Sequence, residues 1–308
     1  YYMDAGAGGV AVGVHTTQFE IRHAGLYKPV LETVAEEVTQ WPRHNGKDLI
    51  RIAGLVGKTA EACSEADIAR GLGYHAGLLS LSVFRSAGED EIIDHCRAVA
   101  EVMPLFGFYL QPAVGGVVLS PGFWHRFAGI ENVVAIKIAP FNRYGTLDVV
   151  RGVVMARAED RISLYTGNDD NIVMDLITPY GIQRGGETVS LRMVGGLLGH
   201  WAVWVKGAVE VHRRCQQDVW DENLLALAGQ VTDCNGAIFD VAHGFKGCIP
   251  GVHEVLRRQG LLEGIWCLNP DEALSPGQMA EIDRVCRDCP QLTDDAFVAA
   301  NLDKWLTP

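Results

Sequence analysis

Seven short, β-prone apolar runs, most of them followed by a segment with helical periodicity, constrain the fold of this chain more than any other feature. They are GGVAVGV (8–14), LIRIAGL (49–55), AGLLSLSVF (76–84), LFGFYLQ (105–111), VVAIKIA (133–139), ISLYTG (162–167) and ETVSLRM (187–193). Helical spacing of apolar residues recurs in GLYKPVLETVAEEV (25–38), EDEIIDHCRAVAEV (89–102) and LDVVRGVVMARAED (147–160). After the second run the spacing settles at about 25 to 30 residues, the length of one β-α unit in a parallel barrel. An open doubly wound sheet shares that rhythm, but no G-x-G-x-x-G follows the first run, and seven units favour closure. The expectation is therefore an α/β fold, a (β/α)8 TIM barrel over residues 1–218. Its first strand is expected upstream, because YYMDAGAGG (1–9) reads as the end of a helix and a turn.

Alternation within the runs assigns faces. Gly9, Ala11 and Gly13 alternate with Val10, Val12 and Val14, and Leu105, Gly107 and Tyr109 alternate with Phe106, Phe108 and Leu110. The smaller sets are expected to face the lumen. From Ala202 onward strand signals give way to amphipathic segments at 201–217, 221–233, 251–262 and 275–289. The last has Ser275 as expected N-cap and Pro276 at the first helical position. These segments predict a C-terminal helical domain over 219–308.

Composition excludes several classes of partner. Lys+Arg 26 against Asp+Glu 38 gives a net charge of −12, which argues against a nucleic-acid or anionic-membrane surface. The longest apolar stretch, 189–211, is interrupted by Arg192, His200 and Lys206 and does not resemble a membrane span. No signal-peptide pattern opens the chain, and the eight scattered cysteines then favour reduced thiols and a cytoplasmic setting. Cys286 and Cys289 lack two further ligands at zinc spacing, and the ten histidines include no H-E-x-x-H, so neither metal nor cofactor is expected. Gly57-Lys58-Thr59 is not a P-loop, because Ile52 stands where that motif requires glycine.

The chemistry is carried by Lys137, an amine inside an apolar run. Val133, Ala135, Lys137 and Ala139 fall on one side of that run, and the bulkier Val134, Ile136 and Ile138 on the other, which wants a helix layer. Active sites of parallel barrels collect at the C-terminal strand ends, where His15, Thr16, Thr17, Tyr109, Lys137, Gly167, Asn168 and Asp169 are found. At an ordinary pKa of about 10.4 roughly one lysine in a thousand is a free amine at neutral pH; burial lowers that pKa and makes a nucleophile for a ketone. The resulting iminium is an electron sink, a phenol such as Tyr109 can shuttle the proton, and the threonines can hold a carboxylate. Each residue also has a purely structural reading. Lys137 can snorkel at a strand end, Tyr109 can line a barrel, and Asn168 and Asp169 can cap the next helix. His15 can be a packed loop residue, and His200 with Trp201 either lines the pocket mouth or starts a helix.

As a set these motifs resemble the dihydrodipicolinate synthase and N-acetylneuraminate lyase superfamily of class I aldolases. The resemblance rests on VVAIKIA (133–139), YLQP (109–112), the paired hydroxyls Thr16 and Thr17, TGNDD (166–170), and IPGVHEVLRRQGLL (249–262) followed by LSPGQMAEID (274–283). It implies that Lys137 forms an imine with a 2-oxo acid, that Tyr109 relays protons with support from Thr16, and that Thr17 binds the carboxylate. His15, Gly167 and Asn168 are the accompanying substrate-binding candidates. It also implies a homo-oligomer, a tetramer built from dimers.

Three departures stand out: HTTQF (15–19) replaces the usual GTTGE, Phe84 replaces a tyrosine lent across a subunit interface, and Val114 replaces an arginine that meets the aldehyde substrate's carboxylate. They speak against lysine biosynthesis and leave imine chemistry intact. The expected function is a Schiff-base lyase acting on pyruvate or a sugar-acid-derived 2-oxo acid. The alternatives are a sugar-acid dehydratase using the same imine, a non-catalytic barrel that binds a 2-oxo acid, and, more weakly, a phosphate-binding isomerase.

Overall fold

A computed structural model describes residues 1–41, 49–197, 201–217 and 221–306. In it the first six apolar runs supply parallel strands, as expected of segments that are covered on both faces. The strands are β1 Gly9–Val12, β2 Ile50–Leu55, β3 Ala76–Leu79, β4 Leu105–Leu110, β5 Val133–Ala139 and β6 Ser163–Thr166. Between and around them lie α1 Tyr2–Ala5, α2 Tyr27–Gln40, α3 Thr59–Gly71, α4 Glu89–Ala100, α5 Pro121–Ala128, α6 Arg143–Met155 and α7 Ile172–Ile177. A hairpin, β7 Tyr180–Arg184 and β8 Glu187–Leu191, precedes β9 Met193–Gly196. The sheet order is β1-β2-β3-β4-β5-β6-β9, every pair parallel. Among the described residues β1 and β9 do not pair, so the sheet is curled and incompletely closed. This is a TIM-barrel-like α/β fold with a seven-stranded parallel sheet among the described residues; the expected eight-stranded closure, its first strand placed upstream, is not seen among them.

The seventh run is the clearest correction. Residues 187–191 are not a sheet strand but β8, antiparallel to β7 across the two-residue loop Gly185-Gly186, both at positive φ (59° and 89°). That loop is the type that matches hairpin twist. Polar Thr188 and Ser190 alternating with Val189 and Leu191 suit a half-exposed ribbon, whereas the true seventh strand, MVGG, is too short and glycine-rich to announce itself.

Face assignments are also partly corrected. On β5, Ala135 joins Ile52, Leu78 and Phe106 in the lumen while Ile136 and Ile138 pack under the helices, as alternation predicts. A register irregularity between Leu105 and Phe106 reverses Val133 and Val134. On β4 the expectation inverts: Phe106 and Phe108 fill the lumen, and Leu105 and Tyr109 face the helices. Gly107 shares that outer face because a Cβ there would come within 2.6 Å of the Phe127 ring on α5. On β1, Ala11 faces inward as expected, but Gly13 at φ 74° breaks the alternation and Val14 also joins the lumen.

The tail folds into α8 Val205–Cys215, α9 Glu222–Ile238, α10 Cys248–Arg258, α11 Gln278–Asp288 and α12 Asp295–Leu306. The start of α11 differs from expectation. Gly277, at φ 85°, takes the N-cap position, because the Ser275 hydroxyl donates instead to Asp240 Oδ2 at 2.5 Å. The α9 helix packs against α7 and reaches the strand-end loops, Asn235 Nδ2 donating to the Asp169 carbonyl at 3.0 Å and Thr232 Oγ1 to the Asp170 carbonyl at 3.1 Å. All eight cysteines are free. No helix among the described residues is long and apolar enough to cross a membrane.

The loop after β1 is held by Arg22. Its guanidinium makes two bonds to Glu65 (2.7 and 2.9 Å) and donates to the Gly13 and Gly54 carbonyls (3.1 and 3.0 Å), joining the ends of β1 and β2 to α3. Both side chains are only about 15% exposed (14% and 15%). Removing one partner strands the other's charge in a site shielded from water. Arg22→Ala is therefore expected to lower unfolding stability by about 3–5 kcal/mol, read from urea titration.

Candidate active site

A cavity of about 450 Å³ opens at the C-terminal strand ends and runs into the lumen. Its walls are mainly apolar: Val14, Ile52, Leu78, Phe108, Leu110 and Tyr165 are typical. Lys137 enters from β5, in register with Phe108 on β4, and its Nζ lies 4.3 Å from the centre of that ring. Removal from water pushes its pKa down from 10.5 to about 8, against the opposing pull of Asp169 and Cys248. The stem of the lysine fits because the neighbouring residue just past β6 is a glycine. A Cβ at Gly167 would sit 2.7 Å from Ala139 Cβ and 3.0 Å from Lys137 Cε.

Of the residues singled out in the sequence, the structure brings Lys137, His15, Thr16, Gly167, Asp169 and Trp201 to the cavity. It takes three elsewhere. The Thr17 hydroxyl accepts from Gly13 N at 3.2 Å and builds the loop. Asn168 is fully buried behind the wall, accepting from Phe141 N (3.0 Å) and donating to Asp175 Oδ2 (2.8 Å) and Thr146 Oγ1 (3.3 Å). Tyr109 lies on the helix side of β4, its ring 4.9 Å from that of Trp124. Burial raises its pKa, opposed by a backbone hydrogen bond at Leu119. Phe108, not Tyr109, faces the amine.

Asp169 takes the place expected of Asn168. It lines the cavity, is 9% exposed, and its Oδ1 has no hydrogen-bond partner. Burial raises its pKa from 3.8 to about 8, with Lys137 holding it down and Asp170 pushing it further up. His15 is pushed below the usual histidine range by burial and by the lysine charge, with Glu20 opposing, so its imidazole is neutral near pH 7. Ser80 on the β3 end, Cys248 at the start of α10, and the edge-to-face pair Phe141 and Phe245 complete the site. Sequence patterning gave no signal for the last three. Trp201 lines the far side of the cavity, and its companion candidate His200 lies outside the described residues.

The two departures around the expected aldehyde site are visible too. Val114 lines the cavity, and among the described residues no arginine does; Arg85 reaches the adjoining loop but donates to the Gly115 carbonyl at 3.3 Å. Phe84 turns inward, its ring 4.5 Å from His95.

The dihydrodipicolinate synthetase family profile matches residues 1–216. The chain belongs to that family. It is a divergent member of the superfamily of class I Schiff-base aldolases. Among curated relatives, a 4-hydroxy-tetrahydrodipicolinate synthase from Synechocystis sp. is 28% identical over 161 residues, 50% of this chain and 51% of that protein. Another from Desulforudis audaxviator is 27% identical over 199 residues, 64% of this chain and 62% of that protein. The chain thus spans about half to three-fifths of the length of these family relatives. Among solved structures of the family, dihydrodipicolinate synthase from Acinetobacter baumannii complexed with pyruvate superposes at a TM-score of 0.75 with 18% identity, covering 93% of this chain and 88% of that one. A putative dihydrodipicolinate synthetase from Pseudomonas aeruginosa gives 0.75 at 16% identity, covering 94% and 89%. At such identities these matches show the shared fold.

Within this family fold, the lysine's orientation depends on the missing side chain at position 167. Gly167→Ala is expected to leave unfolding stability within about 2 kcal/mol of wild type while slowing covalent reaction at Lys137 at least tenfold, because the displaced amine leaves its attack geometry. Comparing urea unfolding with adduct formation checks this.

Proposed function

We propose that the chain is a Schiff-base-forming lyase or aldolase acting on a 2-oxo acid, pyruvate or a sugar-acid-derived relative, with Lys137 as nucleophile. The observation that carries this reading is the lysine itself, sheltered in the cavity with its pKa drawn down to about 8. At neutral pH about one such amine in ten is free, against roughly one in a thousand for an ordinary lysine. The free amine adds to the C2 carbonyl, the carbinolamine loses water, and the iminium accepts the electron pair of a bond broken at the neighbouring carbon. Names of the family relatives support the reading, as does the pyruvate named with the Acinetobacter structure.

The carboxylate of the 2-oxo acid meets neutral donors here. His15, Thr16 and Ser80 line the cavity, and Lys137 is its only Lys or Arg side chain among the described residues. A substrate with a second carboxylate would have to bury that charge without an arginine partner and near Asp169, an unfavourable arrangement. Condensation of pyruvate with aspartate semialdehyde is accordingly expected to fall below about 10⁴ M⁻¹s⁻¹ in kcat/KM, the low end of ordinary enzymes. A steady-state assay with that pair reads this directly.

Pyruvate with borohydride should add one reduced adduct at Lys137, seen by intact mass and peptide mapping, and Lys137→Ala should abolish it. Because the neutral amine is the nucleophile, the trapping rate should rise with pH and level off above a midpoint near 8, the value to which burial draws the amine. An unmodified protein across a panel of 2-oxo acids, or an adduct at another residue, overturns the reading.

A further inference from the structure

Cleavage through an iminium needs a group that takes a proton from the substrate and later returns it. The phenol expected for this task lies on the outer face of β4, and the ring facing the amine, Phe108, has no proton to exchange. We propose that the side chain of Asp169 is the proton carrier of this site. The inference rests on the imine reading of Lys137 and goes beyond it by assigning the second catalytic group.

Geometry supports it in three ways. Asp169 shares the cavity wall with Lys137, two residues past the glycine against which the lysine stem lies. Its backbone is clamped by Asn235 of α9, and the preceding Asn168 is locked to Thr146 and Asp175. The loop is thus held while Oδ1 is left without a partner. A buried carboxyl oxygen that the protein does not satisfy is an uncommon arrangement, and in a catalytic cavity it suits an atom reserved for substrate. The titratable groups around it are Lys137 on β5, Cys248 on α10 and its neighbour Asp170, with His15 facing the lysine from the loop after β1. Phe108 and Leu110, the cavity-lining residues of β4, are apolar. Burial keeps the carboxyl able to hold a proton near neutrality, which the return step requires.

The steps balance. With the 2-oxo acid bound as the iminium, the Asp169 carboxylate takes the C4 hydroxyl proton, the C3–C4 bond breaks, and its electron pair moves to the iminium to give an enamine and a free aldehyde. The protonated Asp169 then delivers that proton to C3, and water hydrolyses the iminium to release pyruvate and the amine. Run on pyruvate alone, the same carboxyl exchanges C3 hydrogens with solvent.

That exchange is the test, because it needs no knowledge of the aldehyde. Pyruvate in deuterium oxide is followed by NMR with wild type, Asp169→Asn, Asp169→Glu and Tyr109→Phe, alongside borohydride trapping of each. Asp169→Asn should slow C3 exchange by about 10²–10⁴-fold while still trapping pyruvate at Lys137 to the wild-type end-point. Asp169→Glu should recover part of the exchange, and Tyr109→Phe should exchange within about threefold of wild type, since conservative change outside the cavity leaves the carrier in place. Exchange by Asp169→Asn at the wild-type rate overturns the assignment, as does a loss in Tyr109→Phe equal to that in Asp169→Asn. Wild type that traps no 2-oxo acid overturns the imine reading itself, a separable result.

Discussion

The placement of one amine inside a curled, mostly apolar sheet governs the rest of this structure. Desolvation lowers the pKa of Lys137 and also makes the amine a burden on folding. Its folded pKa of about 8 lies below the ordinary 10.5, so its destabilising contribution is full below pH 8 and fades as pH rises toward 10.5. Asp169 behaves oppositely: raised from 3.8 to about 8, it costs nothing below its unfolded value, and its penalty grows through that window. No single pH relieves both groups. The surrounding network of Asn168, Asp175, Thr146 and the Arg22–Glu65 pair supplies the rigidity that keeps such a pair from relaxing into water.

Much of this was legible in the sequence because it depends on period. The strand and helix rhythm gave the α/β class, and alternation along VVAIKIA put Lys137 and Ala135 on the lumen side opposite Ile136 and Ile138. What failed depends on which of two alternating sets is chosen. On β4 the sets were right, but size was a poor guide, since an open lumen accepts the Phe106 and Phe108 rings while close packing of α5 demands Gly107 outside. Tyr109 followed its set to the helix side.

Beyond strand ends, periodicity gives no orientation. Asn168 and Asp169 are adjacent and polar, and nothing local says which faces the cavity. The choice is made by α6, α7 and α9, through Thr146, Asp175 and Asn235. The hairpin strand 187–191 shows the complementary error, a well-patterned segment outranking a short glycine-rich one that holds the true sheet position.

The clasp of α9 on the Asp169 carbonyl has a kinetic consequence. Asn235 and Asp169 are 66 residues apart in the chain, and the Gln18 side chain that borders the cavity loop accepts from Leu268 N, 250 residues away. Contacts of such long range form late, because loop-closure entropy opposes them until nearer pairings are in place. Strand pairing between neighbours can mature on its own schedule, while the pocket is finished only when the final third of the chain docks. Completion of the pocket in this molecule is therefore an assembly endpoint, and a chain caught before docking would hold most of its secondary structure and an unfinished site.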